Sequence, residues 1–254
     1  MRNGVGSFIC FLISIPSFSQ SSSAVVNQLS EWSAVTTSIK LTKKIAIYAD
    51  GHFRYVENFQ PMQNQLRFGV EYLVSDKLSV MPVGFAYIRN FIYGKQPTRF
   101  ENNERRIYQQ VIYKHASGRF GFNHRFRIEE RFIQFHSVNA SDQVVDEGFT
   151  NLQVRLRYRG TITYPLNSTA IKAGTLFAAV YDEIFISRGS KVTYEKPDQN
   201  RFFAGLGYQF AKDISLQTGF FYQILIKSNG AQQENNVGLL TQFSYNFDFS
   251  KNGN

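Results

Sequence analysis

The stretch HRFRIEERF, residues 124–132, alternates charged and apolar side chains. Arginine or glutamate occupies every odd position from 125 to 131, whereas phenylalanine or isoleucine occupies positions 126, 128 and 132. Successive side chains of a β-strand point to opposite faces, so the stretch predicts a strand with one charged and one apolar face. The fold then depends on which of the two faces meets water.

The same alternation recurs along most of the chain, which contains 25 Phe and 14 Tyr, residue types that favour strands. Short turns are predicted near 41–44, 75–77, 116–119, 165–169 and 211–213, and longer polar loops near 57–64, 90–103, 134–149, 188–199 and 228–235. Long alternating strands joined in turn by short turns and long loops are typical of bacterial outer-membrane β-barrels.

We therefore predict an all-β fold, a single antiparallel transmembrane β-barrel of about 10 to 12 strands. The sequence shows eleven alternating runs, whereas single-chain bacterial barrels usually have an even number of strands. Either SSSAVVNQ (21–28) adds a short strand, which gives twelve, or one run lies outside the wall, which gives ten; twelve is favoured. A soluble secreted β-barrel binding protein is the alternative architecture, and its strands would usually be shorter.

The first 19 residues have the layout of a signal peptide. Arg2 precedes the apolar run FICFLISIP, and small residues follow in SFSQ, which predicts cleavage after Ser19. The apolar run is too short for a transmembrane helix, which needs about 20 residues. We therefore predict a signal peptide over 1–19, an outer-membrane barrel domain over 20–254, and a mature chain without Cys10, the single cysteine.

Removal of Arg2 with the signal peptide leaves 28 − 1 = 27 Lys and Arg against 19 Asp and Glu, a net charge of +8. An exported chain seldom meets nucleic acid, so we expect no nucleic-acid partner, and the location of the cations matters more than their number. HExxH, GxSxG, Walker A and paired-cysteine patterns are all missing from the sequence. The sequence therefore predicts neither an enzyme nor a bound cofactor or metal.

If lipid contacts the apolar face, the charged face lines the lumen. The predicted lumen and anion-binding candidates are Arg54, Arg67, Arg106, Arg125, Arg127, Glu129, Arg131, Arg155, Arg157, Arg159 and Arg201. The acidic residues predicted on the same face are Asp50, Glu71, Glu104, Glu129 and Glu183, so ten arginines less five acids leave an excess of five positive charges. One interpretation is a structural network in which Glu104, Glu129 and Glu183 bridge arginines. The other is a path that binds or passes small anionic solutes, because guanidinium groups suit carboxylate and phosphate.

Several motifs together resemble the uncharacterised domain-of-unknown-function family twenty-four-ninety, exported barrel-like proteins of Gram-negative bacteria. The resemblance rests on an early tryptophan followed by LTKKIAIYADGHFRY, and on ENNERRIYQQ, HRFRIEERF, RLRYRGTITYPLN, YDEIF and DQNRFFAGLGYQF, over roughly residues 30 to 248. It implies an outer-membrane barrel and supplies no catalytic residue. The specific role of such a barrel stays open.

An outer-membrane lipid hydrolase is a further alternative. A two-residue turn at 42 and 43 would place Ser33 opposite His52, with Asp50 on the same face, the three residue types of a catalytic triad. The expected partners are outer-membrane lipid and small anionic solutes, and no oligomeric state is predicted. Aromatic residues near the strand ends would form the interfacial girdles of a membrane barrel, namely Tyr55, Tyr87, Phe132, Tyr164 and Phe249.

Overall fold

The computed structural model describes residues 24–94, 100–189, 191–192, 197–227 and 230–250. The predicted signal peptide, 1–19, lies outside the described residues. In the described part of the chain, no helix is both long enough and apolar enough to cross a membrane.

Eleven long strands of 12 to 17 residues form the wall of a closed barrel. They are β1 Ala24–Lys40, β2 Ile45–Val56, β3 Gln60–Leu73, β4 Leu78–Asn90, β5 Asn102–Ser117, β6 Phe120–Ile133, β9 Asn151–Pro165, β10 Thr175–Gly189, β11 Pro197–Ala211, β12 Ile214–Ile226 and β13 Gln232–Tyr245. Three short strands complete the set: β7 His136–Val138, β8 Val144–Asp146 and β14 Phe247–Asp248.

Each long strand pairs antiparallel with the next one along the chain, and β6 pairs with β9 across the β7–β8 hairpin. The barrel closes through a parallel pair, in which Ala24 to Thr36 of β1 lie beside Gln232 to Ser244 of β13. A ring of eleven strands needs one such parallel pair when every other pair is antiparallel. The predicted all-β barrel of 10 to 12 strands is therefore confirmed.

The origin of the twelfth strand differs from the expectation. AVVNQ, residues 24–28, forms no separate short strand but begins β1, because it continues the same unbroken pairing with β13 that includes Trp32. The additional strand is instead the two-residue β14, which pairs with Ile39 and Lys40 of β1.

The connections alternate in length at the two ends of the barrel. One end carries the connections 41–44, 74–77, 118–119, 166–174 and 212–213. The opposite end carries the connections from β2 to β3, β4 to β5, β6 to β9, β10 to β11 and β12 to β13. Two predicted lengths are wrong. The turn expected at 165–169 spans nine residues, and the loop expected at 57–64 has only three, Glu57, Asn58 and Phe59, all with positive φ. Residues 60–64, QPMQN, resemble a loop in sequence because of Pro61 and the three amides, yet their backbones pair with neighbouring strands.

The two faces of the wall are inverted relative to a soluble sheet. In β3, Leu66 and Phe68 are 60% and 57% exposed, whereas Arg67 between them is 6% exposed. Across the described residues, 43 large apolar side chains are exposed and 27 polar or charged side chains are buried. The charged face therefore lines the inside, and the apolar face forms the outer surface.

Aromatic and aliphatic side chains fill the lumen where arginines do not. On one side they come from β1 and from β10 to β13 and comprise Trp32, Phe177, Ala179, Tyr181, Phe203, Phe221 and Leu240. On the other side Tyr108 packs with Met81 and Ile88. Gly84 leaves the space for its ring, because a Cβ at position 84 would lie 2.4 Å from Tyr108. Filling by side chains is expected for a barrel of this size.

Candidate anion-binding site

All eleven predicted site residues lie on the inner face of the barrel. Arg159 is half-buried, and the other ten are at most 9% exposed. The reason is local: each lies on a strand whose neighbouring residues point outward, so the alternation of side chains carries them into the lumen. Burial of so many cations requires partners or water, and the partners differ from one region to another.

Glu104 on β5 binds two arginines at once. Arg106 donates from Nε and Nη2 to its two oxygens at 2.6 and 3.0 Å, and Arg131 does the same at 2.5 and 3.0 Å. Each pair is bidentate, the geometry in which a guanidinium and a carboxylate bind most strongly. Glu104 therefore joins β5 to β6 inside the lumen.

Glu129 and Glu183 form the middle of the network, and Arg157 joins them. Arg157 donates to Glu129 at 2.5 Å and to Glu183 at 2.7 Å. Glu129 also contacts Arg106 and Arg127, at 3.2 and 3.5 Å. Both carboxylates are at most 1% exposed, so the acidic centre of this ion-pair network is buried inside the lumen.

Arg125 and Arg127 complete this network. Arg125 donates to Glu183 at 2.5 Å. Arg127 donates to the amide oxygen of Gln110 at 2.9 and 2.5 Å, and its guanidinium lies over the ring of Tyr108, 4.3 Å from the centroid. Gln110 and Tyr108 were not predicted as partners, because a neutral amide or a ring on a polar strand face carries no charge signal in the sequence.

A smaller cluster surrounds Arg67. This arginine donates from Nε to Asp50 at 2.7 Å and lies 2.6 Å from Nε2 of His52. Asp50 is therefore the counter-ion of an arginine.

The predicted triad is wrong. Ser33 pairs with Phe53 and points outward, whereas His52 pairs with Ala34 and points into the lumen. The last paired residues of β1 and β2 are Lys40 and Ala46, so an odd number of residues, the five from 41 to 45, lies between them. This shifts the register by one residue relative to a two-residue turn, and such a shift puts a side chain on the opposite face.

Arg155 has a partner that alternation alone could not identify. It donates to Ser187 at 2.7 Å and to Asp198 at 3.2 Å. Asp198 was expected in a loop, yet it begins β11 beside an irregularity in the pairing with β10. Consequently Asp198 and the adjacent Gln199 are both buried, which breaks the strict alternation.

Arg54, Arg159 and Arg201 have the weakest ion pairing. In the described part of the chain, no carboxylate lies within 4.0 Å of Arg54 or Arg159. Arg201 reaches only Glu183, at 3.7 Å. Each of the three lies over an aromatic ring instead: Arg54 and Arg201 over Trp32, and Arg159 over Tyr181.

A cavity of about 480 Å³ occupies the lumen at the end with the longer loops, and we call it the vestibule. Its charged lining residues are Arg54, Arg106, Arg131, Arg155, Arg157, Arg201, Lys191, Lys227, Glu104 and Asp198. The remaining lining is rich in amides, and Gln134, Phe135 and His136 of the β6–β9 connection contribute to it. Eight cations and two carboxylates line the cavity, and one of the cations, Lys227, is paired with the buried Glu234 at 2.6 Å. Cations remain in excess, which makes the vestibule an electropositive concavity.

Within the ranges that the structure describes, no group of three or more His, Cys, Asp or Glu side chains could hold a metal ion.

Two solved structures are similar to the barrel at low sequence identity. A structure of the NanC porin in a rhombohedral crystal form is 15% identical, with 83% of this chain and 90% of that chain covered and a TM-score of 0.45. A crystal structure of the siderophore receptor PirA from Pseudomonas aeruginosa is 12% identical, with 73% and 32% covered and a TM-score of 0.29. Neither likeness indicates an activity, and no curated protein matches the chain.

A family model described as "Protein of unknown function (DUF2490)" matches residues 29–235. The match spans most of the chain, so the protein belongs to this family, and the resemblance seen in the sequence is confirmed. The family description assigns no activity.

Proposed function

We propose that this member of the DUF2490 family is an outer-membrane β-barrel that binds small anionic solutes in its vestibule. The ion-pair network, part of which lines the vestibule, holds the strands of the barrel together, and its role is structural. In this proposal the protein binds small anionic solutes or lets them pass, and it is not an enzyme.

The outer surface supports the membrane location. Exposed apolar side chains cover the wall on all sides, far beyond the few hundred Å² of apolar patch that a soluble monomer usually tolerates. Closure also fits, since an open sheet edge in hydrocarbon would leave backbone groups without partners. Tyr87 and Phe249, two of the predicted girdle residues, are 47% and 52% exposed. A soluble secreted barrel would instead keep its apolar face inside.

The charge of the vestibule is the observation that carries the anion proposal. Eight cationic side chains and two carboxylates line a cavity of about 480 Å³, large enough for a small organic solute. Eight of the ten lumen arginines contact five carboxylates, Asp50, Glu104, Glu129, Glu183 and Asp198, and Arg54 and Arg159 contact none, so 10 − 5 leaves five more arginines than carboxylate partners in this set. An anion in the vestibule would offset part of that excess.

Binding and passage place different demands on the structure. A solute that enters the vestibule meets Arg54 and Arg201 without disturbing the ion pairs of Glu129. A solute that crosses the lumen has to separate Arg157 from Glu129 and Glu183, two buried charge-assisted contacts. We therefore propose binding as the primary property, and passage as a step that requires rearrangement of the network.

The catalytic triad proposed for the lipid-hydrolase alternative does not form, because Ser33 and His52 point to opposite faces of the wall. We expect purified barrel to release no fatty acid from phospholipid vesicles, and Ser33→Ala and His52→Ala to leave that result unchanged. Hydrolysis above the level of protein-free vesicles would contradict the non-enzymatic proposal.

The membrane location is tested first, by fractionation and by the heat-dependent gel migration of a folded barrel. Recovery in the soluble periplasmic fraction would reject it. Anion binding is then tested by calorimetry on the detergent-solubilised chain, with sodium acetate and sodium phosphate titrated at constant ionic strength. We expect saturable binding that weakens as salt rises. Absence of binding to both anions at low salt would reject the vestibule as an anion site.

A further inference from the structure

The floor of the vestibule contains an unusual arrangement of two arginines and the only tryptophan of the chain. The guanidinium carbons of Arg54 and Arg201 lie 4.2 and 4.8 Å from the centroid of Trp32. The ring of Phe221 packs against the same indole at 4.1 Å. Trp32 is 3% exposed and lies behind the arginines, which themselves line the cavity.

Neither of the two guanidinium groups is neutralised by a carboxylate at hydrogen-bond distance. Arg54 donates from Nη1 to the amide oxygen of Gln63 at 2.7 Å. The Gln65 amide oxygen, in the orientation that satisfies both amide atoms, accepts from Arg54 at 3.2 Å. Amides are neutral, so these bonds position the guanidinium without neutralising it. Arg201 reaches only Glu183, which Arg125 and Arg157 already contact at shorter distance.

Hydrogen-bond donors are in excess at the same place. Among the described residues, Nε of Arg54, Nε of Arg201 and Nε1 of Trp32 are buried and have no acceptor. A guanidinium has five N–H donors and accepts none, so each arginine has further donors to offer. Acceptors within reach are scarce beside these donors: the carboxylate oxygen nearest to Arg201 in its ion pair, Oε2 of Glu183, lies 3.7 Å away, beyond hydrogen-bond distance. An oxyanion in the cavity would supply further acceptors and negative charge.

We infer that Arg54, Arg201 and Trp32 form an oxyanion subsite, which holds the carboxylate or phosphate group of a small organic solute. This inference rests on the proposed function and specifies where in the vestibule the solute binds. Trp32 takes the place of a counter-ion: its π face attracts both guanidinium groups without accepting their hydrogen bonds. The arginines therefore stay together and charged, with donors free for the solute.

Ligand geometry distinguishes an oxyanion from a halide at this subsite. The planar fork of a guanidinium matches two oxygens of a carboxylate or phosphate, which a spherical anion cannot present. The rest of the solute would lie against the vestibule wall, where side-chain amides can donate to and accept from hydroxyl or carbonyl groups. The subsite therefore selects for the oxyanion, and the wall selects for a polar remainder.

Because Trp32 is the single tryptophan, its fluorescence reports directly on this subsite. The full chain in detergent is titrated with sodium acetate or sodium phosphate, with sodium chloride as the halide probe at matched ionic strength. We expect a saturable change in emission with acetate or phosphate and none that saturates with chloride. Whichever of acetate and phosphate binds more tightly identifies the preferred oxyanion.

Variants test whether the arginines of the subsite bind the oxyanion. Arg54→Gln and Arg201→Gln are each expected to weaken oxyanion affinity at least tenfold, whereas Arg54→Lys, which keeps the charge and loses the fork, should have an intermediate effect. Arg89→Gln is the matched control, because Arg89 is an exposed arginine that pairs with Glu101 and does not line the vestibule. Trp32→Phe, read by calorimetry, should retain weaker binding.

Two outcomes separate this inference from the proposed function. Calorimetric binding of acetate or phosphate with no saturable change at Trp32, or with full affinity in Arg54→Gln, would overturn the subsite while the anion-binding vestibule stands. An equal response to chloride at matched ionic strength would also overturn it. If no anion binds by either method, the proposed function fails as well.

Discussion

The ion-pair network and the vestibule floor use the same residue type for opposite purposes. In the network, Arg157 lies between Glu129 and Glu183, and nearly every guanidinium donates to a carboxylate. On the floor, Arg54 donates only to amides and stacks on Trp32. Both regions are buried, so burial alone does not distinguish them. The partner decides whether an arginine braces the barrel or stays available to a ligand.

The comparison also separates stability from binding. Removing one member of a buried ion pair leaves the other charged and desolvated, which is costly. Removing an arginine that is not paired with a carboxylate leaves no buried charge without a partner. Substitutions in the ion-pair network are therefore expected to lower the stability of the barrel, whereas substitutions on the vestibule floor are expected to weaken ligand affinity.

The largest expected effect comes from Glu129→Gln. This change leaves Arg106, Arg127 and Arg157 without their shared carboxylate, and loss of a buried partner typically costs about 3–5 kcal/mol of unfolding free energy. Urea unfolding of the barrel in lipid vesicles, followed by Trp32 emission, measures it. Glu101→Gln, in an exposed pair with Arg89, should change stability by less than about 1 kcal/mol. Equal effects of the two changes would contradict the structural role of the network.

A smaller loss of unfolding free energy is expected for Asp198→Asn, which lines the vestibule and pairs with Arg155. Asp198 accepts from Arg155 and from Ser187, so one arginine loses its partner and the cost is about 1–3 kcal/mol. Because Asp198 is one of the two carboxylates that line the vestibule, the same change should tighten oxyanion binding. Unfolding and calorimetry on one preparation measure both quantities. Weaker binding in Asp198→Asn would contradict the electrostatic account of the vestibule.

Arg54→Gln should change stability little, because it leaves no carboxylate without a partner. We expect a loss of about 1 kcal/mol of unfolding free energy, since the change removes a partly buried hydrogen bond to the neutral Gln63 amide and breaks no ion pair. Arg157→Gln is the matched comparison, because it removes an ion-pair partner from both Glu129 and Glu183 and should destabilise by several times more. Similar losses in the two variants would show that Arg54 belongs to the bracing network.

The smallest expected effect concerns the connection that borders the vestibule. The N–H of Gly148 donates to Asp146 at 2.8 Å and the Gln134 amide at 2.7 Å, and together they hold the pKa of the Asp146 carboxyl below its usual value. A lowered folded-state pKa means that the stabilisation is complete above the unfolded pKa of about 3.9 and is lost as the pH falls through the lower folded value. Hydrogen-exchange protection of the Gly148 amide should fall below about pH 4. In Asp146→Asn this pH response should disappear; persistence would assign the change to another group.

Prediction from the sequence succeeded where a single physical rule applies. Alternation placed Arg67 inside and Leu66 and Phe68 outside, because the two-residue period of a strand needs no knowledge of its neighbours. It failed wherever the outcome depended on register. Ser33 and His52 were assigned to one face on the assumption of a two-residue turn, and the pairing of Lys40 with Ala46 shifts the register by one residue and reverses that assignment.

The lumen partners divide in the same way. Glu104 and Glu183 could be identified as bridges because they are acids on arginine-bearing faces. Asp198 could not, since an irregular pairing at the start of β11 turns it inward against the alternation. Gln110 and Trp32 carry no charge, so nothing local marks them as partners of Arg127 and Arg54.

The sequence by itself determined the division of each long strand into a charged and an apolar face, because alternation over long runs produces two such faces whatever the strands pair with. The burial of the charged face is a property of the closed structure. Only the tertiary structure decided the strand number, the parallel closure of β1 on β13 and the partner of each arginine. Those features depend on contacts between residues as distant in sequence as Arg201 and Trp32, which come together only when the wall closes. The presence of charged side chains in the lumen follows from the alternation within each strand. Their division into a structural network and a binding site follows from the closure of the barrel, which decides the partners of each arginine.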